Sequence, residues 1–283
     1  MQLGYSAWAM PTMPVAEQIA LVRELGYVGI ELVSGPSNSL DAVTITGSER
    51  QAIRRLLDEA SLALPSIAGH ADLLAADPET RAANLARLHA GIDLAADLAG
   101  PGGPPCLVTM AFGRPDDYER IRDTVADNFG ELAHYAARRG VVVALEPHVG
   151  QAFDRPDRVR WLLDRVGSPN FKLNFDNSHF EVMGYDLAIY VPLLTKDAVH
   201  THVKDQRGHN AEDFAFLVPG EGEFDYPRFL TALDRAGYAG FITIEISVMV
   251  QRRPGYDPKE TARASFQTLV KAATQAAVAL EHR

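Results

Sequence analysis

The sequence has one cysteine, no dense block of lysine or arginine, no glycine-rich dinucleotide fingerprint and no apolar run long enough to cross a bilayer. Each shortage removes a class of function. A lone Cys106 cannot close an internal disulfide, and its Pro/Gly-flanked apolar surroundings read as those of a small buried hydrophobe. A reducing cytoplasm is the expected location. The formal net charge of -10 opposes binding to a polyanion unless a local basic groove overrides it, so nucleic acid is not an expected partner. Gly100 to Pro105 is Gly/Pro-rich but lacks the GxGxxG spacing and precedes a strand, which makes it a loop and not a phosphate cradle. The N-terminus enters a strand-like run at once, with no basic segment and no signal-type apolar stretch, and no membrane association is expected.

What is present is apolar periodicity. At 283 residues and 47% hydrophobic, the chain can bury a large core as one barrel-sized domain or two smaller ones. Strand-like runs at Gln2 to Trp8, Val28 to Val33, Leu64 to Gly69, Cys106 to Phe112, Val141 to Glu146, Phe171 to Asp176, Val199 to Lys204 and Phe241 to Ser247 alternate with amphipathic stretches. Those stretches are Val15 to Leu25, Glu49 to Ala60, about Glu79 to Leu98, Asp117 to Arg139, Arg158 to Val166, Leu187 to Leu194, Tyr226 to Ala236 and about Pro258 to Ala277. Eight strand-helix pairs with no linker-like composition shift predict an α/β fold, a (β/α)8 barrel forming a single domain over residues 1–283. A doubly wound sheet shares the alternation and is the rival.

A barrel requires functional groups at the strand ends, facing the lumen. In Phe171 to Asp176, Phe171, Leu173 and Phe175 share one face, which sends Lys172, Asn174 and Asp176 to the other. Val141, Val143 and Leu145 leave Glu146 inside; Val199 and Val203 leave His200, His202 and Lys204 inside; Ile242, Ile244 and Ile246 leave Glu245 inside with Thr243 and Ser247. The mouth thus collects two glutamates, an aspartate and an imidazole. Carboxylates crowded at low dielectric repel one another, and a divalent cation would hold them ionised. Mixed O/N ligation with open positions suits Mn2+, Mg2+, Co2+ or Zn2+. Any one of these residues alone is better read as a strand-end ion pair. Four on one predicted face are read as functional.

Leu145-Glu146-Pro147-His148, Phe175-Asp176-Asn177-Ser178-His179, His200-Thr201-His202-Val203-Lys204-Asp205, Pro219-Gly220-Glu221-Gly222-Glu223 and Ile244-Glu245 resemble, in order, the signatures of the xylose isomerase-like TIM barrels. The sugar phosphate isomerase/epimerase proteins are the most similar branch, with tagatose epimerases, inosose dehydratases and hydroxypyruvate isomerases as relatives. The resemblance implies Glu146, Asp176, His202 and Glu245 as ligands of one divalent cation, Mn2+ first in expectation, with Glu146 and Glu245 also the acid/base pair. It implies His179 and Arg207 as contacts to a small polyhydroxylated carbonyl substrate, and a homo-oligomer is compatible with it. The expected activity is isomerisation or epimerisation by carboxylate-mediated proton transfer through an enediolate. Dehydration at the same site is the alternative, with His148, His179 or Lys204 protonating the leaving hydroxyl.

The sequence also departs from its relatives. Ketose epimerases resemble one another in a glutamate shortly after Glu-Pro, where Val149 to Phe153 offers only Gln151; the Glu-Pro-His form and the Lys204-Asp205 pair look more like dehydratase-like members. Endonuclease IV resembles the chain at Asp176, His179 and Gly184 to Leu187, but Cys106 to Phe112 has no histidine for its multi-zinc site. A zinc nuclease and a non-catalytic sugar-binding barrel are the remaining readings. His70 at the end of the third strand is read either as a substrate contact or as a structural histidine. Trp8 is a stacking platform or plain packing. Lys204 binds an anionic group, donates a proton, or only neutralises Asp205.

Overall fold

The computed structural model describes residues Met1–Arg283. Its strands are β1 (Gln2–Ser6), β2 (Gly29–Val33), β3 (Ser66–Ala68), β4 (Cys106–Met110), β5 (Val143–Glu146), β6 (Phe171–Asp176), β7 (Ala198–Val203), β8 (Asp205–Asn210), β9 (Asp213–Leu217) and β10 (Phe241–Ile244). β8 and β9 form an antiparallel hairpin, and the other eight close a parallel barrel in which β1 pairs with both β2 and β10. That closure excludes the doubly wound sheet. The helices are α1 (Val15–Glu24), α2 (Gly47–Ala60), α3 (Pro78–Asp97), α4 (Tyr118–Arg139), α5 (Pro156–Val166), α6 (Asn177–Glu181), α7 (Leu187–Leu194), α8 (Tyr226–Arg235), α9 (Val248–Gln251) and α10 (Pro258–Ala276). None is long and apolar enough to cross a membrane.

Local chemistry sets the joints. Thr46 accepts from the Glu49 backbone N–H while the Glu49 carboxylate accepts from that of Thr46, a reciprocal cap that starts α2. Asp77, Asp225 and Asp257 cap α3, α8 and α10, each with a proline in the first turn, where a missing N–H costs nothing. α4 stops at Gly140, whose φ of 68° lies in the left-handed region. Between barrel and helices the outward faces of the strands supply the core, among them Ile30, Leu32, Leu107, Leu145, Leu173, Phe175, Ile242 and Ile244, all buried.

One irregularity positions the site. Leu173 lies opposite Ala198, yet the next pairs are Asn174 with His200 and Asp176 with His202, so β7 carries one extra residue there. Without it, Asp176 would face Thr201, whose side chain belongs to the other face of the strand. The bulge therefore brings the carboxylate and the imidazole to the same side of the barrel.

Cys106 lies at the start of β4, 7% exposed. Burial, aided by the Glu31 carboxylate, pushes its thiol up to about 12, so almost no thiolate forms at neutral pH. The folded protein is expected not to react with Ellman's reagent at pH 8 and to titrate one thiol once unfolded in guanidinium. Rapid labelling of the folded protein would contradict this.

Candidate metal centre

Glu146, Asp176 and His202 come from β5, β6 and β7, and Glu245 directly follows β10. One donor atom from each lies within 4.8 Å of all the others. His202 is the hub: its Nδ1 is 2.9 Å from Glu146 Oε1, 3.1 Å from Glu245 Oε2 and 3.0 Å from Asn174 Nδ2. Asp176 caps α6, accepting at Oδ1 from the Ser178 backbone N–H (3.0 Å) and hydroxyl (2.5 Å). Its other oxygen pairs with the Lys204 ammonium, which also lies 2.5 Å from Glu245 Oε2. Lys204 thus turns into the site and does not pair with Asp205, whose carboxylate faces backbone N–H groups on the far side.

One layer deeper, Glu31 meets the opposite edge of His202, with Oε2 2.9 Å from Nε2. Around the rim, His70 Nε2 is 3.7 Å from Glu146 Oε2, and Trp8 meets the His70 ring edge-on at 5.8 Å between centroids. The His148 and His179 rings lie 4.0 Å apart, and His179 Nε2 is 3.3 Å from Asp176 Oδ2. Phe216 of β9 walls this side, its ring edge-on to His179 at 5.2 Å and 5.7 Å from Lys204 Nζ.

Burial alone would raise a carboxylate and lower a cation; for Asp176, Glu245, Glu31, His202 and Lys204 the charges on neighbouring groups reverse this. Against burial, Lys204 and then His179 hold Asp176 well below the usual carboxylate range, and Lys204 and His202 hold Glu245 below it. Glu31 sits at about 2 because the His202 charge overrides its desolvation. His202 and Lys204 are raised in turn by the carboxylates around them. His148 is pushed down to about 4 by burial and then by His179, and His200 to about 3 by burial.

These residues fit a divalent cation. Glu31, Glu146, Asp176 and Glu245 are all buried in one cluster, and Lys204 and His202 are the basic side chains in closest contact with them, with His179 beside Asp176. Glu245 Oε2 lies close to Lys204 and His202 but out of hydrogen-bond alignment with both, and both ring nitrogens of the buried His179 lack a partner. A mixed O/N set with unsatisfied oxygens suits a hard or borderline divalent ion.

Residues 19–272 match the family described as xylose isomerase-like TIM barrel. The chain belongs to the xylose isomerase-like TIM barrel family. Among curated relatives, an inosose dehydratase of Glaesserella parasuis serovar 5 is 28% identical over 147 residues, which are 46% of this chain and 48% of the relative. The chain spans about half the length of the first such relatives it matches. A fructoselysine 3-epimerase of Shigella flexneri is 24% identical over 90% of this chain and 93% of its own. The crystal structure of the IOLI protein with a zinc atom superposes at a TM-score of 0.77 and 18% identity, covering 98% of each chain, a likeness of fold.

Set against this xylose isomerase-like pattern, nine of the ten residues picked from the sequence gather at one end of the barrel: Glu146, Asp176, His202 and Glu245 at the centre, and Lys204, His179, His148, His70 and Trp8 around them. Arg207 does not join them. It is exposed on β8, which turns out over the mouth. Three residues escaped the sequence reading. Glu31 stands opposite Ile30 and Leu32 by the alternation applied to the late strands, but it sits mid-strand and not at a strand end. Asn174 shares the inward face with Asp176. Phe216 belongs to a hairpin whose first strand, Asp205–Asn210, carries no apolar period.

Proposed function

We propose that this xylose isomerase-like barrel is a divalent-metal-dependent isomerase or epimerase of a small ketose, keto-acid or polyol. The observation that carries the reading is that Glu146 and Glu245 approach the same nitrogen of His202 from strands on either side of β6 and β7. Two carboxylates flanking one substrate position can remove a proton from one face and return it to another. Glu146, Asp176, His202 and Glu245 would hold the cation, which when bound supplies Lewis acidity toward a carbonyl and its neighbouring hydroxyl. One glutamate takes the proton from the carbon beside the carbonyl. The other, carrying a proton in the substrate complex, delivers it to the opposite face for epimerisation or to the adjacent carbon for isomerisation, and the first keeps the proton it took until it exchanges with solvent.

The surrounding side chains orient the substrate. His179 is 1% exposed; its Nδ1 has no partner and its Nε2 approaches Asp176 Oδ2 at 3.3 Å out of hydrogen-bond alignment, so a substrate hydroxyl would satisfy it. His148 Nδ1 lies 2.9 Å from the Val149 carbonyl, which can only accept, so this nitrogen carries the proton. With the ring neutral above about pH 4, Nε2 is an acceptor for a hydroxyl, and His148 is not the imidazolium acid that dehydration needs. Lys204, held above its ordinary range, gives up its proton reluctantly. These assignments favour proton return over loss of water. Dehydration remains the second reading, favoured by the inosose dehydratases among the relatives.

The test is to purify the protein without chelator, identify its metal, and screen keto-sugars and inososes in D2O. Deuterium uptake at one carbon with no mass lost supports the proposal; loss of 18 mass units supports dehydration; tight binding with neither supports a sugar-binding barrel. Turnover of abasic DNA by protein carrying several zinc ions would move the reading to a nuclease. We expect about one cation per chain, counted by elemental analysis. A ligating imidazole is neutral. Because the carboxylates hold His202 protonated past neutral pH, cation binding at pH 7 should expel about one proton, and affinity should rise with pH until His202 deprotonates unaided. Calorimetry in buffers of different ionisation enthalpy counts that proton, and a count of zero would remove His202 from the ligand set.

His179→Asn is expected to keep the cation and to raise KM or lower kcat by about tenfold through lost substrate orientation. Metal titration and kinetics on this variant separate the two roles. Loss of an ion with the fold intact would make His179 a ligand.

A further inference from the structure

Glu31, His200 and His202 form a second group of donors close enough together to hold an ion, entirely buried beneath the first. Their hydrogen bonds argue for a different use. Glu31 Oε1 accepts from the Ser6 hydroxyl at 2.6 Å, helped by the register that sets Ser6 beside Glu31 across β1 and β2. Glu31 Oε2 accepts from the Ser66 hydroxyl at 2.8 Å and meets His202 Nε2 at 2.9 Å. Ser66 has one hydroxyl proton. Since Glu31 takes it, Ser66 Oγ accepts from His200 Nε2, 2.9 Å away, and His200 Nδ1 is the bare, unpartnered nitrogen. Every oxygen of Glu31 is already satisfied, in contrast to Glu245 and His179 at the mouth. The lower group therefore has no open oxygen to offer an ion.

An ionised carboxylate fully bonded in this way can do only one thing to His202, which is to accept a hydrogen bond from Nε2–H. We infer that Glu31 is a positioning residue: it fixes the Nε2–H form of His202 and turns Nδ1 toward Glu146, Asp176 and Glu245 as the ligand atom. The inference rests on the metal reading of the site above and adds to it the residue that orients its imidazole. A histidine ligand whose other nitrogen bonds a carboxylate is held in tautomer and ring angle and is the more basic for it.

Ser6→Ala serves as the structural control, because it removes a buried hydrogen bond to Glu31 and leaves the bond to His202. Co2+ titration of metal-free protein should show Glu31→Gln weakening the affinity by about 10- to 100-fold and altering the visible Co2+ spectrum. Ser6→Ala should stay within about twofold of the parent even where its Tm falls as far. Parent-like Co2+ affinity in Glu31→Gln overturns the assignment of Glu31 alone, whereas failure of the parent itself to bind Co2+ overturns the metal reading and this inference with it. Should Glu31→Gln not fold, the parent loaded with 113Cd2+ decides: scalar coupling of the metal to His202 Nδ1, with a proton on Nε2, is expected. Coupling to Nε2 would overturn the proposal.

Discussion

Glu245→Gln is expected to slow exchange of the substrate C–H with solvent by about 10³-fold, the scale of a lost general base, while the cation stays bound. Glutamine keeps an oxygen at the same reach from His202 Nδ1, 3.1 Å in the parent, but loses both the charge and the basicity. Lys204 would then pair with Asp176 alone, so the substituted site loses one negative charge without leaving the ammonium stranded. His202→Ala supplies the contrast. It removes the imidazole that Glu146, Glu245 and Glu31 all touch, so metal affinity should collapse and activity with it. Deuterium uptake and metal occupancy measured on both variants place the two residues in different roles. Small and equal effects would mean that the buried cluster is structural.

How much of this was legible in the sequence depended on where each side chain sits along its strand. Every barrel strand announced itself, because both faces are covered and the outward face must be apolar: Ile30 and Leu32, Leu173 and Phe175, Ile242 and Ile244. The period-two rule then located Glu146, Asp176, His202 and Glu245 without knowledge of the bulge in β7 that aligns two of them, since alternation within each strand survives a shift of register between strands. Glu31 obeyed the same rule, but looking only at strand ends passes over a carboxylate in the layer below. The Lys204-Asp205 dipeptide suggested a local ion pair, yet successive side chains on extended backbone point apart. The β8–β9 hairpin was illegible for a different reason: Arg207-Gly208-His209-Asn210 is polar on both faces, and its connection through Ala211 and Glu212 lacks the Asn-Gly or Asp-Gly turn signal. Its register comes from tertiary anchoring at Asp205, which no local pattern encodes.

That anchor carries a large stability effect outside the metal centre. Asp205 is buried, and its two oxygens accept four backbone N–H groups: Oδ2 from Gly220 (2.7 Å) and Gly222 (3.1 Å), Oδ1 from Phe224 (3.1 Å) and its own neighbour Gln206 (2.9 Å). Three of these donors lie on the segment that leads from the hairpin back to α8, so one side chain ties that segment to the end of β7. Asp205→Ala leaves the buried Phe224 and Gln206 N–H groups unpaired, while those of the exposed Gly220 and Gly222 can turn to water, so about 1–3 kcal/mol for each buried donor, eased by water entering the gap, gives an expected loss of about 2–4 kcal/mol. Asp205→Asn should cost less, since one oxygen survives, but its amide N–H groups then face other donors. The glycine at 222 belongs to the same contact: a Cβ there would sit 2.3 Å from Asp205 Oδ1 and 2.4 Å from the Gln206 carbonyl, so Gly222→Ala should push the anchor apart from the other side. The two exchanges should therefore be less than additive, because the first removes one of the two atoms with which the second collides. Urea unfolding of the parent, both single variants and the double variant measures this, read as a fall in the midpoint at constant slope. Function should follow stability here, since Phe216 on β9 forms the wall beside His179 and Lys204 and a slack hairpin would raise KM. An Asp205→Ala protein with the parent's midpoint and KM would show that the segment holds its place without the carboxylate.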